Sequence, residues 1–302
     1  MFQRGWLFAL CVGLTMRATC ADEALQFSWK PGMSCRVRNS IQQGEAPGIK
    51  LSYDLKVKAA PADHLFVVLE NPDVEMDGDF DTPDQRLLVA DMLAATNLPD
   101  FEIDERGRLV GLRNFEHTRD KFRQAYALGA PDEAALERAV QTVATREMLE
   151  SLVQRFWAPV VEYWAGTELK PGRQIERSQI SEFPIGNAPL LMNLTIRHAG
   201  MSACQGSGDA RCARLETDQR ADPASLTKAA STMMRRLGAS KDDQVRIESI
   251  DFRIHTETLA DPATLIPVRL LVERDARIDA VENGATSRTS SVERREWQFD
   301  CR

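Results

Sequence analysis

The sequence predicts an α+β fold: a curved, mostly antiparallel meandering sheet with a helical insertion, over about residues 83–164, packed against it. Two observations predict it. Apolar and polar residues alternate towards both ends of the chain, the period of a half-buried strand, whereas in the middle apolar residues return every three to four positions, the period of a helix. The alternating stretches are also separated by short segments carrying Gly, Pro or Asn, the spacing of strands that meander side by side.

Element by element, Cys35, Val37 and Ile41 share one face of a first strand, and Leu51, Tyr53, Leu55 and Val57 share one face of a second. Between them lies a loop with Gly44, Pro47 and Gly48. LFVVLE follows the turn at Pro61–Asp63, and Phe101–Asn114 reads as a hairpin with Gly107 at the turn position that needs positive φ. Helices are predicted over Pro83–Leu98, Phe115–Leu128 and Ala134–Tyr163. In the last, Leu136, Val140, Val143, Leu149, Leu152, Val153, Phe156 and Val160 form a stripe at helical spacing, opened by Pro131-Asp132-Glu133 and kinked or ended by Pro159. Strands return at Ile175–Phe183, Leu190–His198 and Ala210–Gln219, then a short helix at Ser225–Leu237, then strands at Gln244–Thr258, Leu265–Arg277 and Ser291–Cys301.

Residues 1–21 read as a cleavable secretory signal: Arg4 in a short leading segment, the uncharged apolar run Trp6–Met16, and Thr19 and Ala21 at the −3 and −1 positions of a cut site. That run rises only ~16 Å as a helix, about half of a hydrocarbon core, so it is too short for a permanent anchor. Residues 22–302 are then expected to form one domain carrying its helical insertion at 115–164, located in the periplasm or secreted. No later stretch is apolar for long enough to span a bilayer. Cleavage removes Arg4 and Arg17, taking the formal charge from −7 to −9, and an acidic chain argues against general binding to nucleic acid or anionic membrane.

Cleavage also removes Cys11 and Cys20 and leaves Cys35, Cys204, Cys212 and Cys301, an even number with three possible pairings. Cys204 and Cys212 enclose QGSGDAR, a flexible loop able to bring two sulfurs together, while Cys35 and Cys301 lie near opposite ends in alternating segments. The expected bridges are Cys204–Cys212 and Cys35–Cys301.

Two motifs suggest chemistry. Pro223-Ala-Ser225-Leu-Thr-Lys228 resembles the nucleophile motif of penicillin-binding carboxypeptidases and serine β-lactamases, in which Ser attacks an acyl carbon and Lys helps take its proton. The S-x-N and K-T/S-G elements of those families do not follow it, so the plainer reading is a capped surface helix with Ser225 as N-cap. The second is Asp73, Glu75, Asp77, Asp79, Asp81 and Asp84, which place oxygens at positions 1, 3, 5, 7, 9 and 12 with Gly78 at position 6, close to an EF-hand calcium loop. The same letters alternate as a strand, with Val74, Met76 and Phe80 inward and acids outward, and that reading takes precedence. His64, His117, His198 and His255 are scattered without metal-ligand spacing. No catalytic residue, cofactor or metal site is assigned, and Asn193-Leu-Thr195 is a glycosylation sequon inside a predicted strand.

FEIDERGRLVGL, FRIHTETLADPATLIPVRLLVE, GDFDTPD and the Trp164–Gly172 segment resemble uncharacterised bacterial envelope proteins built on extended meandering sheets. The nearest named analogy is the lipoprotein-carrier (LolA-like) half-barrel, a resemblance over about a third of the chain that implies a sheet and helices enclosing acyl chains. The expected function is therefore that of an exported, non-enzymatic protein binding an apolar small molecule or lipid between helices and sheet. The alternative is a structural or protein-interaction component of the cell envelope. A serine acyl-transfer hydrolase using Ser225 and Lys228 ranks third.

Overall fold

A computed structural model describes residues 25–43, 48–76, 98–127, 130, 132–182, 189–204, 210–236, 245–282 and 285–302. The predicted signal, the predicted helix Pro83–Leu98 apart from Leu98, and Asp77, Asp79, Asp81 and Asp84 lie outside the described residues.

Period-two alternation produces the strands. In β2 (Ile49–Ala59), Ile49, Leu51, Tyr53, Leu55 and Val57 are buried, while Lys50, Ser52, Asp54, Lys56 and Lys58 point to the other face. The same division runs through β1 (Ser34–Gln43) and the first half of β3 (Leu65–Met76), whereas β4 (Phe101–Ile103) is buried throughout and β5 (Leu109–Leu112) pairs with it across a bulge. The later strands are β6 (Gln174–Glu182), β7 (Pro189–Ala203), β8 (Arg211–Ala221), β9 (Val245–Ala260), β10 (Pro267–Glu282) and β11 (Ala285–Cys301). All eleven form one sheet in the order β5-β4-β3-β2-β1-β11-β10-β9-β8-β7-β6, with every neighbouring pair antiparallel. The chain therefore meanders outward from β1 to β5, crosses to the far side, and meanders back from β6 to β11.

The crossing is helical. It comprises α1 (Phe115–Tyr126), α2 (Glu133–Val143), α3 (Arg146–Trp157) and a π-helical turn at Ala158–Glu162. These segments cover one face of the sheet, here the inner face, and α4 (Pro223–Arg236) covers part of the same face over β7–β9. Trp157, fully buried, meets Phe101 and Trp29 edge to face at 5.2 and 5.1 Å between ring centroids. Its indole N–H donates to the Gly107 carbonyl at 2.7 Å. The Pro159 carbonyl accepts from Trp164 Nε1 at 2.8 Å and Thr258 Oγ1 at 2.9 Å, which ties the π turn to β9.

The expected fold class is overturned. Strand accounts for 54% of the structure and helix for 23%, so the molecule is nearly all sheet rather than α+β with a helical insertion at about 83–164. Part of the reason is strand length: β9, β10 and β11 run 16, 16 and 17 residues. Residues 285–292 of β11 are exposed, so backbone pairing to β10 extends the strand where no apolar alternation marks it. The helical part also shrinks. The stripe over Ala134–Tyr163 is divided at Ala144–Thr145, where Thr145 Oγ1 accepts from the Met148 N–H at 3.2 Å and caps a new helix.

Both expected disulfides are present. Cys35 and Cys301 are directly opposed on β1 and β11, with Cα atoms 3.9 Å apart although they stand 266 positions apart in sequence. The flanking pair Ser34 and Arg302 exchanges both backbone hydrogen bonds, so the cysteines occupy the closer, non-hydrogen-bonded position that a cross-strand bridge requires. Cys204–Cys212 closes the β7–β8 hairpin, Cα to Cα 5.1 Å. Bridges of this kind belong to oxidising compartments, in keeping with a secreted or extracytoplasmic protein. Among the described residues, no helix is long and apolar enough to cross a membrane.

Two stability effects are expected. Replacing Cys35 and Cys301 together by Ser removes the closure of the long loop and should lower unfolding free energy by up to about 5 kcal/mol in a denaturant titration. Gly107 has φ +78°, and a Cβ there would lie 2.7 Å from Val161 Cγ1 and 2.9 Å from Phe27 Cδ2. Gly107→Ala should therefore cost about 2–4 kcal/mol, combining left-handed backbone strain with overpacking; a thermal melt like that of the parent would show that the turn relaxes freely.

Candidate functional site

Because register is fixed across the whole sheet, inward-facing residues align in rows perpendicular to the strands. One row reads Arg177, Leu194, Gln219, Ile254, Arg274 and Glu293 from β6 through β7, β8, β9 and β10 to β11. The next reads Ile175, Ile196, Thr217, Thr256, Val272, Arg295 and Ile41. On one side of these rows, Leu270, Trp297 and Phe299 pack in the same core as Leu149, Val153, Trp157 and Val160 of the helical crossing. On the other side, Met192, Ala221 and Ile250 pack with Leu226 and Ala230 of α4. The two rows are thus a seam between two helical covers.

The seam carries polar and charged groups on an otherwise apolar face. Burial raises the Tyr163 hydroxyl above its usual range, and the hydroxyl bonds to Gln179 and Gln219 there. Further along, Arg274 Nη1 donates to Glu293 Oε1 at 3.1 Å, and Arg295 Nε donates to the same oxygen. Arg155 of α3 approaches the pair, close enough to repel Arg295, and its Nε donates to the Ser151 carbonyl at 3.3 Å. Among the described residues Arg155 has no carboxylate partner. Burial and the nearby Arg295 lower the Arg274 guanidinium to about 10, an effect that Glu293 opposes and Arg155 adds to. Burial, with Arg295 nearby, lowers Arg155 as well. Two guanidinium groups thus share one carboxylate with a third nearby, while side-chain exposures of 29% for Arg274, 21% for Arg295 and 19% for Glu293 leave them within reach of solvent.

The outer face is different, because its charges are interleaved. Asp54 takes Arg36 at 3.1 Å and Asn71 at 2.8 Å, Glu70 takes Lys56 and Lys58 at 2.8 Å each, and Arg269 lies between Glu257 at 3.2 Å and Glu296 at 3.0 Å. The two lysines hold the Glu70 carboxyl down at about 2. A depression of about 240 Å³ on this face is lined by Arg38, Lys50, Asp73, Glu75 and Glu296 among others. Asp73 and Glu75, the described part of the acidic run, sit on β3 opposite Ser52 and Lys50, with Val74 turned towards the core. Strand alternation accounts for these two acids, and no cluster of three or more His, Cys, Asp or Glu side chains able to hold a metal occurs among the described residues.

Ser225 and Lys228 both lie on α4. The cap is Asp222, not Ser225: its Oδ2 accepts from the Ser225 N–H at 2.8 Å, and its carbonyl accepts from the Leu226 N–H at 2.9 Å. The Ser225 hydroxyl instead accepts from the Leu191 N–H of β7 at 2.9 Å, fixing the helix to the sheet. The histidines stay apart, His64 on Glu102 at 2.7 Å, His255 on Asp218 at 3.3 Å and His198 Nδ1 on the Leu169 carbonyl at 2.9 Å. The arginine group was readable in principle: Arg274 continues the inward series Leu270–Val272, and Arg295 and Glu293 continue Phe299–Trp297. A charge at an inward position of a strand is the signal; the predicted strands Leu265–Arg277 and Ser291–Cys301 include these residues, and the register between them is what brings the charges together.

No protein-family model matches the chain, and no curated protein matches it either. Among solved structures, one described as lipid–protein interactions in lipovitellin superposes over 91% of this chain with a TM-score of 0.38 and 8% identity. The chain spans 26% of that protein's length. A likeness at that level carries no argument about function.

The seam geometry makes Glu293 the hinge of local charge balance. Glu293→Gln should destabilise the fold by about 1–3 kcal/mol in urea unfolding, because two half-buried guanidinium groups lose the negative charge they share. The loss should shrink as salt rises and screens the remaining repulsion; a salt-independent loss would assign the effect to packing instead.

Proposed function

We propose that this chain is an exported, non-enzymatic binding protein that holds an apolar or lipid ligand against the inner face of its sheet. The observation that carries the reading is a partly buried apolar strip at the margin of the filled cores. Phe252 and Ile254 of β9 and Ala276 and Ile278 of β10 face inward in register, and Ile278 keeps 37% of its surface exposed. Apolar surface on the concealed side of a sheet, bordered by the polar groups of the seam, is the composition of a ligand-binding site. The expected position of the ligand shifts accordingly. Where α3 meets the C-terminal strands, Val153, Trp157 and Leu270 fill the interface, so the ligand belongs along the seam and not under that helix. Entry into the periplasm or secretion through cleavage after Ala21 belongs to the same proposal, as does the likeness to lipoprotein carriers.

A second reading, a component that pairs with another envelope protein, is favoured by one feature. Strand β6 pairs with β7 alone among the described residues, and its Ile180 is 77% exposed.

Native mass spectrometry of the protein isolated from cells that export it tests both. The expected spectrum is a chain starting at Asp22 with an added small-molecule mass that organic extraction removes. A bare monomer would overturn the ligand reading, and a protein adduct would favour the second.

A further inference from the structure

We infer that Arg155, Arg274 and Arg295 form a binding site for a phosphate or carboxylate oxyanion on the inner face of the sheet. The site stands on geometry. Arg274 and Arg295 occupy inward positions on adjacent strands and converge on one oxygen of Glu293, while Arg155, exposed on α3 of the covering layer, lies near enough for its charge to act on Arg295. The group therefore draws on both layers of the fold, and its two strand arginines are flanked by apolar wall positions, Ile254 beside Arg274 and Val272 and Ile41 on either side of Arg295, with the uncharged Gln43 opposite Glu293.

Arginine at such a place has a particular meaning. A guanidinium presents several N–H donors in a plane and cannot shed its proton at neutral pH, so burial without a partner is unfavourable unless an oxyanion supplies the acceptors. One carboxylate offers two oxygens, and here one of them already takes Arg274 and Arg295. The donors left over by three arginines match a tetrahedral phosphate or a second carboxylate, which would bind in charge-assisted hydrogen bonds. On the outer face an arginine can instead meet two acids, as Arg269 does between Glu257 and Glu296.

The source of the anion rests on the function proposed above. If the ligand is amphiphilic, the oxyanion is its headgroup, and its chain lies along Ile254, Phe252 and Ile278. If that reading fails, the same arginines take a free phosphate or carboxylate.

The test is titration calorimetry on the mature chain with three probes: inorganic phosphate, decyl phosphate, and neutral decyl glucoside below its micelle concentration. Decyl phosphate is expected to bind, and Arg274→Gln and Arg295→Gln are each expected to weaken it roughly tenfold or more, the scale of one lost charged hydrogen bond. Arg155→Gln lies on a helix surface and serves as the variant that keeps the strands intact; it should weaken binding in the same direction with an unchanged circular dichroism spectrum. Binding of inorganic phosphate as tight as that of decyl phosphate, and equally sensitive to the substitutions, supports the anion site and assigns it to a free anion. Equal binding of decyl phosphate and decyl glucoside, indifferent to all three substitutions, overturns the anion site and leaves the apolar-ligand reading standing. No binding of either phosphate overturns it outright.

Discussion

The pairing of β1 with β11 is the contact on which the architecture depends. Each half of the chain builds its own meander from local hairpins, β1 to β5 in one direction and β6 to β11 in the other. Among the described residues only β1 and β11 pair across the halves, through nine residue pairs from Cys35↔Cys301 to Gln43↔Glu293. Without it there would be two smaller sheets, each with a bare edge, and a helical layer spread over both. Bringing the two strands together closes a loop of nearly the whole chain, an entropic cost that grows only slowly with loop length. Val37, Phe299 and Trp297 return part of that cost by joining the core from both sides of the junction, and the disulfide removes some of it in advance by restricting the unfolded chain.

The same junction explains what is placed around it. Since β11 sits beside β1, the inner faces of β10 and β11 lie under the helical crossing that begins after β5, and Arg155 of α3 meets Arg274 and Arg295. A seam between two covering layers is where a sheet can tolerate charged inward residues, because side chains there reach solvent past the edge of each cover. The outer face has no such constraint. Its carboxylates and cations interleave across neighbouring strands, which fits a solvated surface needing neutrality but no ligand.

Legibility in the sequence followed the strength of local signals. Alternation in β1 and β2, the positive-φ turn at Gly107 and both disulfide pairs could be read directly, since each rests on a few residues with distinctive chemistry. The proportion of sheet could not. β11 continues through Thr286-Ser-Arg-Thr-Ser-Ser291, where only its partner β10 defines a strand, and such pairing leaves no periodic trace in composition. The helical stripe over Ala134–Tyr163 stays in phase across Ala144 and Thr145, so hydrophobic spacing alone does not reveal the break that Thr145 makes. PASLTK shows a smaller mismatch. The helix expected there is present, but Asp222 rather than Ser225 caps it, and the Ser225 hydroxyl holds it to β7. The arginine seam fell between these cases, because its members come from residues 155, 274 and 295 and acquire meaning only when register sets them side by side.

Cys35–Cys301 has a mechanical side as well. A tension applied between residues 35 and 301 passes across a single covalent S–S link and reaches none of the ten strand-to-strand contacts of the sheet. The intervening chain is a slack ring, and its hydrogen bonds carry no load. Whatever pulls on residues 35 and 301, the sheet and its seam are spared the force as long as that one bond stays oxidised.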